Sequence, residues 1–440
     1  MAADGVGVAA VTASLDTSPA ASSRPGRLRI AIQIERFDPR GGGAEAYAAR
    51  LAKGLVALGD EVTVITSEAA DSIEGVRVVR VPGPRHPKFL RALAFARGSA
   101  AAVRAGGYDI VHALGKSLGM NILNPHGGVE SIWLEQERRS HPPGLSRAWW
   151  TFKRYLSPRH YVIQAVIARQ YRHPGVLRFV ALSPAIKEAM TRVHGIAPAM
   201  ISVLPNGVDT ARFRPAVDVA ERSVVAARLG LPSGTLIFLF VANNFRLKGL
   251  RPLLEALGWA AKERPAPPAF LLVVLGRGDA ERYRRIAAGF GIGDRVEFRG
   301  PVTGIEEWYR AADGYFHPSF FDACSLSLPE AMASGLPVLA SRHDGSSELV
   351  ESDRNGYMID DPENLGELHE GLRLFFDAGW RHQMGAAARA CLLKRPAPDP
   401  AAAMRGIYLE ALAATPAAGR TGDKPQTAQR KTEDANRPGL

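Results

Sequence analysis

Two carboxylates, Asp322 and Glu330, are separated by seven intervening residues in residues 317–341, HPSFFDACSLSLPEAMASGLPVLAS. A carboxylate is an acceptor-only group and suits ligands that present vicinal hydroxyls. Ser327, Pro329 and Gly335 are placed to start and stop a short helix, and a short buried strand is predicted over residues 336–340. Glu330 would then lie just inside the helix, where it could accept both hydrogen bonds of a ribose-like diol. Asp322, on the loop before it, would hold a second polyhydroxy group. The free N–H groups and positive dipole end of such a helix also suit phosphate. There is a rival reading: Ser327 and Glu330 match the S-x-x-E capping box, so Glu330 could merely close its own helix.

Arg246 and Lys248 lie on the loop NNFRLKG, after a predicted buried strand at residues 235–242 and before a helix at residues 250–262. Open α/β sheets bind ligands at such strand ends, and two cations beside Gly249 form a diphosphate clamp. A strand at residues 28–34 leads into a loop ending Gly41-Gly42-Gly43, then a helix at residues 44–58 and a strand at residues 61–66. Glycines there let backbone approach a ligand at a helix start, although the G-x-G-x-x-G fingerprint is absent. His126 sits in another strand-end loop, NPHGG.

These strand–loop–helix units occur twice, and 440 residues exceed one ordinary core. The fold class expected is therefore α/β, with two Rossmann-like parallel-sheet domains facing across a cleft. Residues 28–205 form the first domain, 206–395 the second and 396–414 a C-terminal helix that crosses back to the first. Residues 1–27 read as a disordered leader without signal-peptide character, and 415–440 as a disordered tail. A formal charge of +11 points to anionic partners, and two cysteines, Cys324 and Cys391, give no metal or disulfide framework. No RNA-binding motif supports nucleic acid as the anion. No apolar run reaches the ~20 residues of a membrane span. From Arg138 to Arg178 the chain has many cations and aromatics and no Asp or Glu, which fits docking on an anionic membrane or, equally, a solvated helix with a buried aromatic face.

The stretch at residues 317–341 resembles the E-x7-E region of retaining family 4 glycosyltransferases of GT-B architecture. GGGAEAYAARLAKGLVALGDEVTVIT, VLPNGVDTARFRP, FVANNFRLKGLRPLLEAL and LLVVLGRGDAERYRRIAAGFGIGDRVEFRGPV resemble other parts of that family, in the same order. The resemblance spans residues 28–412 and looks nearest to lipopolysaccharide-core glucosyltransferases. It implies that Glu330 binds the ribose of a nucleotide sugar and that Asp322, one methylene shorter than the usual Glu, faces the donor sugar. Backbone around Cys324, Ser325 and Leu326 would meet the donor. Lys248 and Arg246 would neutralise the departing diphosphate, with Gly42 and Gly43 opposite and His126 near the sugar. The donor implied is a UDP-hexose or GDP-mannose, and the acceptor a glycan or lipid-linked glycan of the cell envelope. No cofactor is implied, and with no Asp-x-Asp, cations and helix ends are expected to replace a metal. Retention would come from same-face transfer or a covalent intermediate at Asp322. The location implied is cytoplasmic, peripheral on the inner membrane face. The alternatives are a nucleotide-sugar epimerase of this fold and a non-enzymatic basic polyanion-binding protein.

Overall fold

The computed structural model describes residues 26–39, 41–84, 86–395 and 399–414. The expected leader before residue 26 and the tail from residue 415 lie outside them. Two parallel sheets dominate. The first contains, in spatial order, Val76–Arg80, Glu61–Thr66, Arg29–Gln33, Ile110–Ala113, Ile122–Leu123, Arg178–Ala181 and Ile201–Val203. The second contains Val296–Gly300, Phe270–Leu275, Leu236–Val241, Gly314–His317, Val338–Ser341 and Tyr357–Ile359. Strands such as LIFLFV and FLLVVL are apolar on both faces because helices cover both sides of a parallel sheet.

In each sheet the first strand in the chain lies between the second and the fourth. That is the switch point of a doubly wound sheet, where flanking loops part and leave a crevice. In the first sheet the crevice lies beyond Arg29–Gln33 and Ile110–Ala113, and in the second beyond Leu236–Val241 and Gly314–His317. The two crevices face each other, so the loops most able to bind a ligand share one cleft.

The C-terminal helix, Pro400–Ala413, does cross back to the first domain. Its Ala401, Met404, Tyr408 and Ala411 join the core formed by Ile30, Leu51, Leu55 and Val62. Tyr408 shares a 2.6 Å hydrogen bond with Nδ1 of the fully buried His112, and Arg405 pairs with buried Asp60 at 2.8 Å. Burying a side chain the size of Met404 stabilises by about 1.5–3 kcal/mol.

The basic segment runs from the last turn of the helix Glu130–Arg139 through the helices Leu145–Leu156 and Pro158–Tyr171. Four of its arginines are engaged rather than free. Arg139 pairs with Asp361 (2.7 Å) and Glu363 (3.0 Å), Arg147 with Glu363 (2.6 Å), Arg154 with Glu130 (3.2 Å) and Arg138 with Glu135 (2.6 Å). The run lacks acids in sequence, but the fold supplies them from outside it.

Candidate active site

Lys248 and Asp322 come from the two loops that flank the second sheet's switch point, and their side chains meet there. Lys248 Nζ donates to Asp322 Oδ2 (2.5 Å) and to the Phe321 carbonyl (2.7 Å). Gly249 permits the approach: its φ is +78°, and a Cβ there would lie 1.9 Å from the Pro318 carbonyl oxygen. Burial pushes the Asp322 carboxyl up, but its polar neighbours, Lys248 first and the Cys324 N–H among the rest, together hold it below the usual carboxylate range.

Asp344 and His317 lie behind this pair. Asp344 Oδ1 accepts from the backbone N–H of Ser325 (3.1 Å) and Ser346 (2.9 Å), and the Ser325 hydroxyl bonds its other oxygen. His317 Nε2 lies 3.5 Å from Asp344 and 3.9 Å from Asp322. Burial, then the neighbouring Asp322 charge, pushes Asp344 up to about 7. Burial, then Lys248, pushes His317 down to about 3, so its imidazole is neutral. Neither residue was singled out from the sequence. Asp344 lies just past the strand Val338–Ser341, so the rule that ligands collect at strand ends marks its loop.

Glu330 does not close its own helix. The helix Ser327–Ala333 has Leu326 at its N-cap and no side-chain cap. Two tyrosines capture the expected capping groups: Tyr315 donates to Ser327 Oγ (2.7 Å) and Tyr309 to Glu330 Oε2 (3.2 Å). Glu330 thus faces the cleft, and burial pushes its carboxyl up to about 7.

The cleft cavity, about 440 Å³, is walled by Lys248, Asp322 and Glu330 on one side and by Gly43, Ala44 and His126 on the other. Cys324, Ser325 and Leu326 also line it. The amides of Cys324 and Ser325 are spent inside the protein, on Asp322 (3.3 Å) and Asp344. Nε2 of His126 and of His317 is buried without a hydrogen-bond partner, a cost that a bound polar ligand would relieve. Burial, then Arg50, keeps His126 neutral by lowering its pKa to about 3. Asn206, which sequence reasoning did not single out, lines the same cavity and donates to the Cys324 carbonyl (2.9 Å). A second cavity, about 1000 Å³, adjoins at Leu326 and Glu330 and carries Arg50, Lys53 and Arg212.

Two expected residues stand apart from this wall. Gly42 gives its amide to the Glu45 carboxylate, which closes the glycine loop, so Gly43 and not Gly42 borders the cavity. Arg246 turns toward the first domain, where Glu137 takes its guanidinium and Ser140 Oγ lies 3.2 Å from Nε. The expected two-cation clamp has one cation, Lys248, in the cavity wall. Burying Glu137 without a partner is costly, which is why Arg246 goes to it.

Two doubly wound domains enclosing a carboxylate–lysine cleft define the GT-B class of glycosyltransferase. The chain belongs to the glycosyltransferases of family 4: residues 41–212 match the model for "Glycosyltransferase Family 4" and residues 235–373 that for "Glycosyl transferases group 1". It is 32% identical over 412 residues to a D-inositol 3-phosphate glycosyltransferase of Xylanimonas cellulosilytica, covering 86% of this chain and 93% of that protein. Its fold is similar to WaaG, a glycosyltransferase involved in lipopolysaccharide biosynthesis, at TM-score 0.73 and 21% identity over 86% of this chain and 99% of the other. It is also similar to Anabaena HepE, solved with UDP-glucose, at TM-score 0.64 and 17% identity over 88% and 100% of the two chains.

Proposed function

We propose that this glycosyltransferase moves a hexose from UDP, with retention of configuration, to a hydroxyl of a glycan or lipid-linked glycan. The observation that carries this reading is the Lys248–Asp322 pair beside Glu330 in one cleft. Glu330 accepts from the ribose diol, Lys248 neutralises the diphosphate as it leaves, and Asp322 and His126 face the sugar from opposite walls. Departure of a diphosphate concentrates negative charge on its oxygens, where a preorganised ammonium gives the most help. Both Asp322 oxygens already accept hydrogen bonds, one from Lys248 and one from Cys324 N, which favours same-face transfer over a covalent adduct. The UDP-glucose bound by HepE supports a UDP-hexose donor. The WaaG likeness supports an envelope acceptor, while the curated relative's name adds a phosphorylated inositol to the candidates.

The test is nucleotide release across UDP-, GDP- and ADP-sugars, with and without chelator. UDP-hexoses should lead, and turnover should survive the chelator. Preference for GDP-mannose would overturn the donor, and rescue by magnesium or manganese the metal-free chemistry. Epimerised sugar appearing without any acceptor would replace transfer by epimerisation.

We propose further that the enzyme docks on an anionic membrane through the helix Leu145–Leu156. Leu145, Trp149, Phe152 and Leu156 form one stripe, 91%, 56%, 55% and 65% exposed. Lys153 and Arg159 beside it are exposed and supply charge complementary to anionic lipid, each worth about 1 kcal/mol at low salt. Among the described residues no helix is long and apolar enough to cross a membrane. Trp149→Ser/Phe152→Ser/Leu156→Ser should weaken partitioning onto phosphatidylglycerol vesicles by about a thousandfold or more, since three apolar side chains each contribute ~1.5 kcal/mol or more. Equal pelleting of wild type and variant, or equal pelleting on purely zwitterionic vesicles, would reject this surface.

A further inference from the structure

A separate cavity of about 470 Å³ opens at the first sheet's switch point and meets the donor cleft at Ala44, which borders both. It sits at the carboxyl edge of Arg29–Gln33 and Ile110–Ala113, where a doubly wound sheet holds its ligand. We infer that this cavity is the acceptor site and that it takes an uncharged polyhydroxy group, a sugar or cyclitol face without phosphate. The inference rests on the glycosyltransferase reading and narrows its acceptor.

The charges of the wall carry it. Among the described lining residues, three cations face four carboxylates: Arg36, Arg91 and Lys116 against Glu35, Glu45, Glu68 and Glu130. Each cation is already paired. Arg91 lies 2.9 Å from Glu35 and 3.7 Å from Glu68, and Lys116 lies 2.9 Å from Glu130. Arg36 lies 3.0 Å from Asp38 and 3.7 Å from Glu45. A phosphate dianion entering here would have to displace carboxylates and then sit beside them. Hydroxyl groups meet no such conflict, because they donate to the spare lone pairs of the carboxylates and accept from the guanidinium and ammonium N–H groups. The Tyr171 hydroxyl, on the same wall, is buried with no hydrogen-bond partner, and a sugar hydroxyl would complete it. Gln170 is positioned alongside by donating to the Gly115 carbonyl (2.7 Å).

The experiment compares two matched pairs of probes on the whole protein saturated with UDP: myo-inositol against inositol 3-phosphate, and methyl α-glucoside against glucose 6-phosphate. Binding is followed by calorimetry. The neutral member of each pair should bind at least tenfold more tightly. The double variant Glu35→Gln/Glu68→Gln, which frees Arg91, should tighten binding of the phosphorylated members about fivefold or more. Phosphorylated probes that bind wild type as well as or better than neutral ones overturn the inference. So does a double variant with no gain toward phosphate. If UDP itself fails to bind, the glycosyltransferase reading falls and takes this inference with it. UDP binding combined with a preference for phosphate removes only the acceptor assignment.

Discussion

The two cavities that meet at Ala44 handle charge in opposite ways. On the donor side, ionisable groups are buried and held away from their ordinary states: Asp344 and Glu330 are pushed up to about 7, and His317 and His126 down to about 3. On the acceptor side the charges are closely paired and reach solvent, with Arg91, Glu35 and Glu68 each at least one-third exposed. The energetic cost of burying charge is thus concentrated in the cavity proposed to stabilise a charged leaving group, while the paired charges of the other wall are proposed to offer hydrogen bonds. Perturbed ionisation thus distinguishes the cavity proposed for the chemistry from the one proposed for recognition.

Three substitutions sharpen or break that contrast. Lys248→Ala should lower turnover by roughly 10²–10³, the loss expected for one preorganised charge contact. Adding Asp322→Asn to it should recover stability without recovering transfer, because it removes the orphaned carboxylate and not the missing cation. Normal turnover in the single variant would show that the diphosphate is neutralised elsewhere.

Glu330→Gln should weaken UDP binding about ten- to a hundredfold, consistent with ~1.5–3 kcal/mol for charged hydrogen bonds. Its effect on stability should have the opposite sign. The folded-state pKa of Glu330 lies above its ordinary 4.5, so the folded protein holds this proton more tightly than the unfolded chain does. Wild type therefore loses stability as pH rises from about 4.5 to about 7, by a contribution on the order of 3 kcal/mol. The Gln variant should melt higher than wild type at pH 8 and converge with it below pH 4.5. A variant that melts lower at pH 8 would return Glu330 to a structural role.

Arg246→Ala should matter least for the chemistry, with under about a tenfold loss of turnover. It leaves Glu137, whose side chain is 8% exposed, without its cation. A fall in melting temperature is therefore expected, of a size set by ~1–3 kcal/mol for an unsatisfied buried acceptor. A loss as large as that of Lys248→Ala would put Arg246 back on the diphosphate.

The sheets were legible because buried parallel strands are long apolar runs: the strand at residues 61–66 was placed to the residue and that at 235–242 to within one residue at each end. The strand Tyr357–Ile359 was not anticipated, being three residues long and only partly buried. The helices Lys88–Gly106 and Ala378–Lys394 were also missed, since their many alanines and arginines give no clear apolar face. At the site, Asp322, Lys248 and Glu330 were legible from residue type and loop position. Asp344 and His317 were not, because a polar residue's burial depends on distant chain. The capping box failed for the same reason: Tyr309 and Tyr315 are remote in sequence from the helix whose first turn they claim.

The crossing of the last helix has a consequence for biosynthesis. Every strand of the second sheet lies between residues 236 and 359, and its core is completed by Phe375, Ala388 and Leu392, so that domain can close before the helix Pro400–Ala413 is made. The first domain has all its strands by residue 203, yet its core lacks Met404 and Tyr408 until the second domain has been made. The part made first is finished last, with apolar surface exposed while the second domain is made. A chain stopped before Pro400 should keep the melting transition of the second domain and lose that of the first. Two intact transitions would show that the last helix is dispensable.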